Sequence, residues 1–80
     1  MLKNSLRIDN CVYNAFEKFK SVHKRYTDYY CTTIVSDDRK EFYIVVYINK
    51  EIILSKRVNV NFKNYKDLYK YALNYFIKQL

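Results

Sequence analysis

The apolar residues of this 80-residue chain recur first at helical spacing, then at every second position, then at helical spacing again. That change of period constrains the fold more than any other feature, because a helix buries one stripe of its surface and a strand one of its two faces. In the first segment Cys11, Ala15, Phe19, Val22 and Tyr26 follow one another at intervals of four, four, three and four, flanked by Val12 and Phe16. They predict an amphipathic helix over residues 10–26, with Glu17, Lys20 and Lys24 on its opposite face and His23 at the edge of the stripe. Asp9 or Asn10 is the expected cap, since either side chain accepts from the free amides of a first turn. Residues 1–8 read as a short leader from which Leu6 and Ile8 dock on the core.

Three runs rich in Val, Ile, Thr, Tyr and Phe come next, at Tyr29–Val35, Phe42–Asn49 and Glu51–Val58. Ser36-Asp37-Asp38-Arg39-Lys40 is the expected loop of a first hairpin, and Asn49-Lys50 the two-residue turn of a second. In the middle run Phe42, Ile44, Val46 and Ile48 share one face, taken as the core face; Tyr43, Val45 and Tyr47 share the other, half-wet one. The register of the outer runs stays open, because a slip of one residue exchanges their faces. A final helix over 64–79 is capped by Asn64, with Asp67 three residues on as a shortened capping box. Its buried stripe is Tyr65, Leu68, Tyr69, Ala72, Phe76 and Leu80, and Lys63, Lys66, Lys70 and Asn74 project from the far side. The expected fold is α+β: one domain over residues 1–80, ordered helix-strand-strand-strand-helix, with a three-stranded antiparallel sheet over 29–58 and both helices on one of its faces.

Charge and composition narrow the function. Fifteen basic residues oppose eight acidic ones, a formal net charge of +7, and ten tyrosines lead an aromatic content of 19%. That is the footprint of a small domain that touches a polyanion. The chain contains no glycine. Phosphate-cradling loops and nucleophile elbows need one, so most families of small-molecule enzyme are disfavoured. The carboxylates are scattered, apart from Asp37-Asp38 in a turn that favours Asp for local reasons. Cys31 with His23 is the one nucleophile–base pair on offer, without an orienting third group. A non-enzymatic protein with no cofactor is expected. Cys11, Cys31 and a single His23 do not make a zinc site, and the two thiols are expected buried and reduced in a cytosolic protein. No apolar run approaches the ~18 residues of a membrane span. The abundance of Lys, Asn, Ile, Tyr and Phe suggests an A+T-rich coding sequence of the kind found in many viruses, mobile elements and some bacteria or protists, and the protein is expected in the cytoplasm, that of a host if it is viral.

Three basic groups are candidate contacts. Lys63, Lys66 and Lys70 stand at and beyond a helix N-terminus, where free amides already favour phosphate. Arg39 and Lys40 sit at a hairpin tip, and Lys20 and Lys24 form a secondary edge on the first helix. Tyr43 and Tyr47, with Tyr30 beside them, form an aromatic platform on which bases stack or another protein docks, a second copy of the chain included.

The element order resembles that of the double-stranded RNA-binding domain. The stretch from Phe42 to Ile52 is similar to that family's second strand, Asn-Gly turn and third strand, and Leu68, Ala72 and Leu73 fall where its last helix carries small or apolar residues. Its signature Ser-Lys-Lys-x-Ala-Lys is replaced by Asn64-Tyr65-Lys66-Asp67-Leu68-Tyr69, with Lys66 at one signature lysine and Lys70 one place late. The same order also resembles the small Alu-domain proteins of the signal recognition particle. Both resemblances imply an RNA partner. Two functions are therefore expected to compete: an RNA- or nucleoprotein-binding module working through these lysines, and a virus- or mobile-element-encoded inhibitor, of the anti-CRISPR type, that docks on a host protein complex.

Overall fold

A computed structural model describes residues 4–38 and 40–80. Its elements are α1 (Ser5–Val22), a 3-10 turn (Lys24–Tyr26), β1 (Tyr30–Val35), β2 (Glu41–Ile48), β3 (Glu51–Asn59) and α2 (Tyr65–Gln79). The strands form one antiparallel sheet in the order β1-β2-β3. Both helices lie over one face of it, an α+β arrangement compatible with the fold of the double-stranded RNA-binding domain. Cys31 pairs with Val46, Thr33 with Ile44 and Val35 with Phe42, so these side chains look toward the helices. Val58 joins them from β3. Phe42, Ile44 and Val46 are fully buried as the alternation predicts, and with Phe16, Phe19, Leu68 and Phe76 they make the core.

The first helix differs from expectation at both ends. It starts at Ser5 rather than near residue 10, with the Asn4 side chain accepting from the Arg7 amide at 3.1 Å. Asp9 and Asn10 therefore lie inside α1, and residues 5–8 are helix rather than leader. The reason is burial: Ile8 extends the stripe of Val12, Ala15 and Phe19 by one turn and is itself buried. Asp9 has other work. Its carboxylate accepts from the Thr33 amide at 3.2 Å and the Thr33 hydroxyl at 2.9 Å, satisfying a backbone donor that an edge strand leaves open. At the other end α1 stops at Val22, which is 64% exposed rather than part of the buried stripe, and the 3-10 turn carries Tyr26 back into the core.

The helices run parallel. The Cys11 thiol donates to the Tyr65 carbonyl at 3.2 Å, Phe16 meets Phe76 edge-to-face at 5.0 Å, and the Tyr26 hydroxyl donates to the Leu80 carbonyl at 2.8 Å. Asn64 caps α2 as predicted, accepting from the Asp67 amide at 2.9 Å. Asp9 ties the first turns of α1 to the far end of β1, so α1 and β1 run in opposite directions.

The β2–β3 turn shows what a chain without glycine must tolerate. Asn49 and Lys50 both take positive φ, 52° and 65°. This is the left-handed pair that a two-residue hairpin turn requires. Asn accepts that region readily; Lys carries a Cβ penalty of ~1–2 kcal/mol, partly offset in a Gly variant by glycine's extra unfolded-state entropy of ~0.5–1 kcal/mol. Lys50→Gly is expected to stabilise the fold by about 0.5–1 kcal/mol, raising the thermal midpoint by roughly 2–8 °C in a calorimetric scan. An unchanged or lower midpoint would show the turn to be unstrained.

Candidate nucleic-acid interface

One end of the molecule collects four chain segments: the N-termini of α1 and α2, the β1–β2 loop and the link from β3 into α2. The Lys40 carbonyl accepts from the Val60 amide at 2.9 Å, which sets the β1–β2 loop beside that link. Lys63 directly precedes the Asn64 cap, Lys66 lies in the first turn of α2, and Lys70 stands one turn further on; all three are exposed, as is Lys40. Arg7, from the other helix, joins them. Its guanidinium lies over the Tyr65 ring at 4.2 Å, and Arg7 and Lys66 line one open cleft between the helices with Asn10, Asn14 and Tyr69. Since the helices are parallel, the positive ends of both macrodipoles fall at this end.

The acidic groups nearby are mostly engaged. Asp9 is held by Thr33, and Glu41 faces Arg57 at 3.5 Å. Asp38 accepts from the Ser36 hydroxyl at 2.6 Å and the Lys40 amide at 3.0 Å, and these two bonds hold its carboxyl below the ordinary carboxylate range. Asp38 thus keeps negative charge in the β1–β2 loop beside Lys40. On the helix side Asp67 is the acidic residue of the first turn of α2, between Lys66 and Lys70 in sequence. The cationic surface is therefore stronger across the two helix starts than at the hairpin tip.

The other expected contacts are placed apart. The Lys20 ammonium sits 3.0 Å from Glu17 and donates to the Tyr29 carbonyl at 3.1 Å and the Thr27 carbonyl at 3.4 Å. Its side chain clamps α1 to the segment that enters β1. Lys24 is exposed in the 3-10 turn, at the opposite end of the molecule. Arg39 lies outside the described residues. Tyr30 and Tyr47 are cross-strand partners with rings stacked at 5.7 Å, and Tyr43 pairs with Ile34; all three alternate onto the face opposite the core, with the Lys20 ammonium of α1 5.8 Å from the Tyr30 ring centre. Arg7 falls in the segment that the sequence assigns to a leader, so its place on this surface follows only from the earlier start of α1. The signal was present: Ile8 is four residues before Val12, and Asn4 is three before Arg7.

Both cysteines are free. Burial, reinforced by the Asp9 carboxylate and opposed by Lys20, pushes the Cys31 thiol from 9.0 up to about 12. It is a protonated thiol at neutral pH, unsuited to nucleophilic attack. His23 stacks on Phe19 at 4.6 Å. The raised thiol has a consequence for stability. Above about pH 9 the unfolded chain gives up the Cys31 proton while the folded chain keeps it. The fold then binds more protons than the unfolded state, and stability falls as pH rises through the interval from about 9 to about 12. Replacing the thiol removes this loss, so the Cys31→Val variant is expected to lose stability less steeply between pH 9 and 10.5, by up to ~1.4 kcal/mol per pH unit, in parallel urea titrations. Identical alkaline slopes would refute it.

Among the described residues no helix is long and apolar enough to cross a membrane, and no three metal-ligating side chains come together. The chain matches no protein-family model, no curated protein and no solved structure.

Proposed function

We propose that this protein is a small non-enzymatic binding module that holds RNA, free or within a nucleoprotein, by its phosphates at the end where both helices begin. The parallel packing of α1 and α2 carries the reading, because it sets Arg7 of one helix and Lys66 of the other on a single cleft. Phosphate oxygens accept strongly from such groups, and a guanidinium stacked on a ring keeps its N–H edge free for paired bonds to one phosphate. Lys63 and Lys70 extend the cation line along α2, and Lys40 flanks its start. The distant resemblance to the double-stranded RNA-binding domain supports the same end of the last helix, at Lys66.

Counterion release provides the test. About four phosphate contacts give an affinity that falls roughly 50–150-fold between 50 and 200 mM salt. Gel shifts with duplex and single-stranded RNA at these two salt concentrations measure it. No shift at 50 mM salt would eliminate the reading, and capture of a host protein complex that survives nuclease treatment would replace it with the inhibitor reading.

A further inference from the structure

Among the described residues the helices cover one face of the sheet and no element covers the other, although Val45 at its centre is only 6% exposed between its neighbours. Across the strands it forms a row of large side chains, Tyr30, Tyr47 and Ile52, at the end nearer the β2–β3 turn. A second row of large side chains, Ile34 and Tyr43, lies toward the opposite end, and between the two stands a row of smaller ones, with Thr32 and Ser55 flanking Val45. Tyr30 and Ile34 are each 59% exposed and Ile52 is 64% exposed. The spacing leaves a shallow waist between two raised ends.

Its charge distinguishes it from the rest of the surface. In a chain of net charge +7, Arg57 is the one basic residue among the outward-facing strand positions, and Glu41 sits 3.5 Å from it. Lys56, its neighbour in sequence, is on the helix side. Sequence-tolerant base stacking works beside free phosphate-binding cations, which this face lacks. Two copies of a strongly basic protein repel one another through most surfaces, and here they can meet without bringing like charges together. The edges offer a poorer route. Asp9 occupies an outward amide of β1, and β3 carries an irregularity opposite Val46/Tyr47 that breaks its straight edge.

We infer that the bare sheet face binds a second copy of this chain, face to face about a two-fold axis near Val45. Three strands ~4.8 Å apart, each rising ~3.3 Å per residue, give a face of roughly 350 Å² in projection. Once both corrugated faces are counted the dimer buries on the order of 1,000 Å² of accessible surface, at the threshold of a specific interface. The dimer is consequently weak, with a dissociation constant in the micromolar range. The Lys63 end stays open in both copies. The inference does not depend on the RNA reading.

Sedimentation equilibrium of the nucleic-acid-free protein from 1 to 200 μM tests it. The expected result is a doubling of mass across that range, favoured rather than weakened by raising salt, which screens the mutual +7 repulsion. This response to salt is opposite in sign to that of RNA binding. Tyr47→Lys and Ile52→Lys each raise the midpoint concentration at least tenfold with unchanged far-UV circular dichroism; Ile52 is so exposed that its variant folds even if the Tyr47 variant does not. Lys63→Glu/Lys66→Glu/Lys70→Glu, whose net charge is about +1, dimerises at least as well as the parent. A wild-type protein that stays monomeric at 200 μM overturns the inference, as does a folded Ile52→Lys variant that dimerises like the parent.

Discussion

Phe76→Ala is expected to lower the free energy of unfolding by about 3–5 kcal/mol, the usual cost of truncating a buried Phe. Phe76 is fully buried where α2 crosses α1. It meets Phe16 edge-to-face at 5.0 Å and lies 6.2 Å from Phe19 and 5.9 Å from Tyr75, ring to ring. Such ring pairs add ~0.5–1.5 kcal/mol beyond the area they bury. A domain of 80 residues has ~4–12 kcal/mol of stability in all. The cavity thus removes a large share of the total, and a chain at the low end of that range is left near its unfolding midpoint at 25 °C. Ile77, next in sequence and 54% exposed, is the control: Ile77→Ala is expected to cost no more than ~0.5 kcal/mol. Urea titration followed by far-UV circular dichroism compares the two. With a slope near 1 kcal/mol per molar urea, the Phe76 variant's midpoint moves down by about 3–5 M, or no folded baseline remains. Equal midpoints for the two variants would mean that the helix–helix seam is not where the stability resides.

What the sequence disclosed about the fold depended on how local each signal was. Leu68, Ala72 and Phe76 recur at helical spacing behind Asn64, and α2 has that cap and that buried stripe. Asn49-Lys50 stands between two alternating runs, and the turn is there. Local signals place the start of α1 too late: Asn4 caps as well as Asp9 or Asn10, but the latter two stand directly before the stripe that begins at Cys11. Two non-local facts decided otherwise: the burial of Ile8 and the bond from Asp9 to Thr33, 24 residues away. The end of α1 was overrun for a different reason. With neither glycine nor proline to mark a stop, the period continued through Val22 to Tyr26, although a 3-10 turn delivers Tyr26 to the core.

The candidate surfaces divide in the same way. Spacing alone puts Lys63, Lys66 and Lys70 at and along the start of α2, and the parity of β2 alone puts Tyr43 and Tyr47 on the sheet's outer face. Lys20 could not be read from spacing, because its acceptors at Thr27 and Tyr29 reach it only after the chain has reversed. Ile34 and Ile52 needed the register of the outer strands, and for Ile52 the register shift opposite Val46/Tyr47 as well. Arg7 needed the true start of α1.

Reversing the charge of the helix-start lysines is expected to have the largest functional effect. Lys63→Glu/Lys66→Glu/Lys70→Glu replaces three cations by three anions where the two helix dipoles converge. Each lost phosphate contact removes a counterion-release contribution, and each new carboxylate repels the backbone. Affinity for RNA is expected to fall at least 100-fold at 50 mM salt, and the slope of log affinity against log salt to shrink by about two to three units. A swing of six in net charge weakens any basic protein's hold on RNA, so a matched control is essential. Lys24→Glu/Lys56→Glu/Lys78→Glu makes the same change with exposed residues away from the helix starts. The control is expected to lose no more than about tenfold, through the long-range field alone. Both variants keep the core, because all six lysines are exposed, and circular dichroism verifies it. Arg7→Ala then resolves the cleft itself, expected to cost about 1.5–3 kcal/mol of binding if the guanidinium donates to phosphate, and nothing if it only stacks on Tyr65. Equal losses in the two triple variants would show RNA held by net charge without a site, and the helix starts would then have no special role.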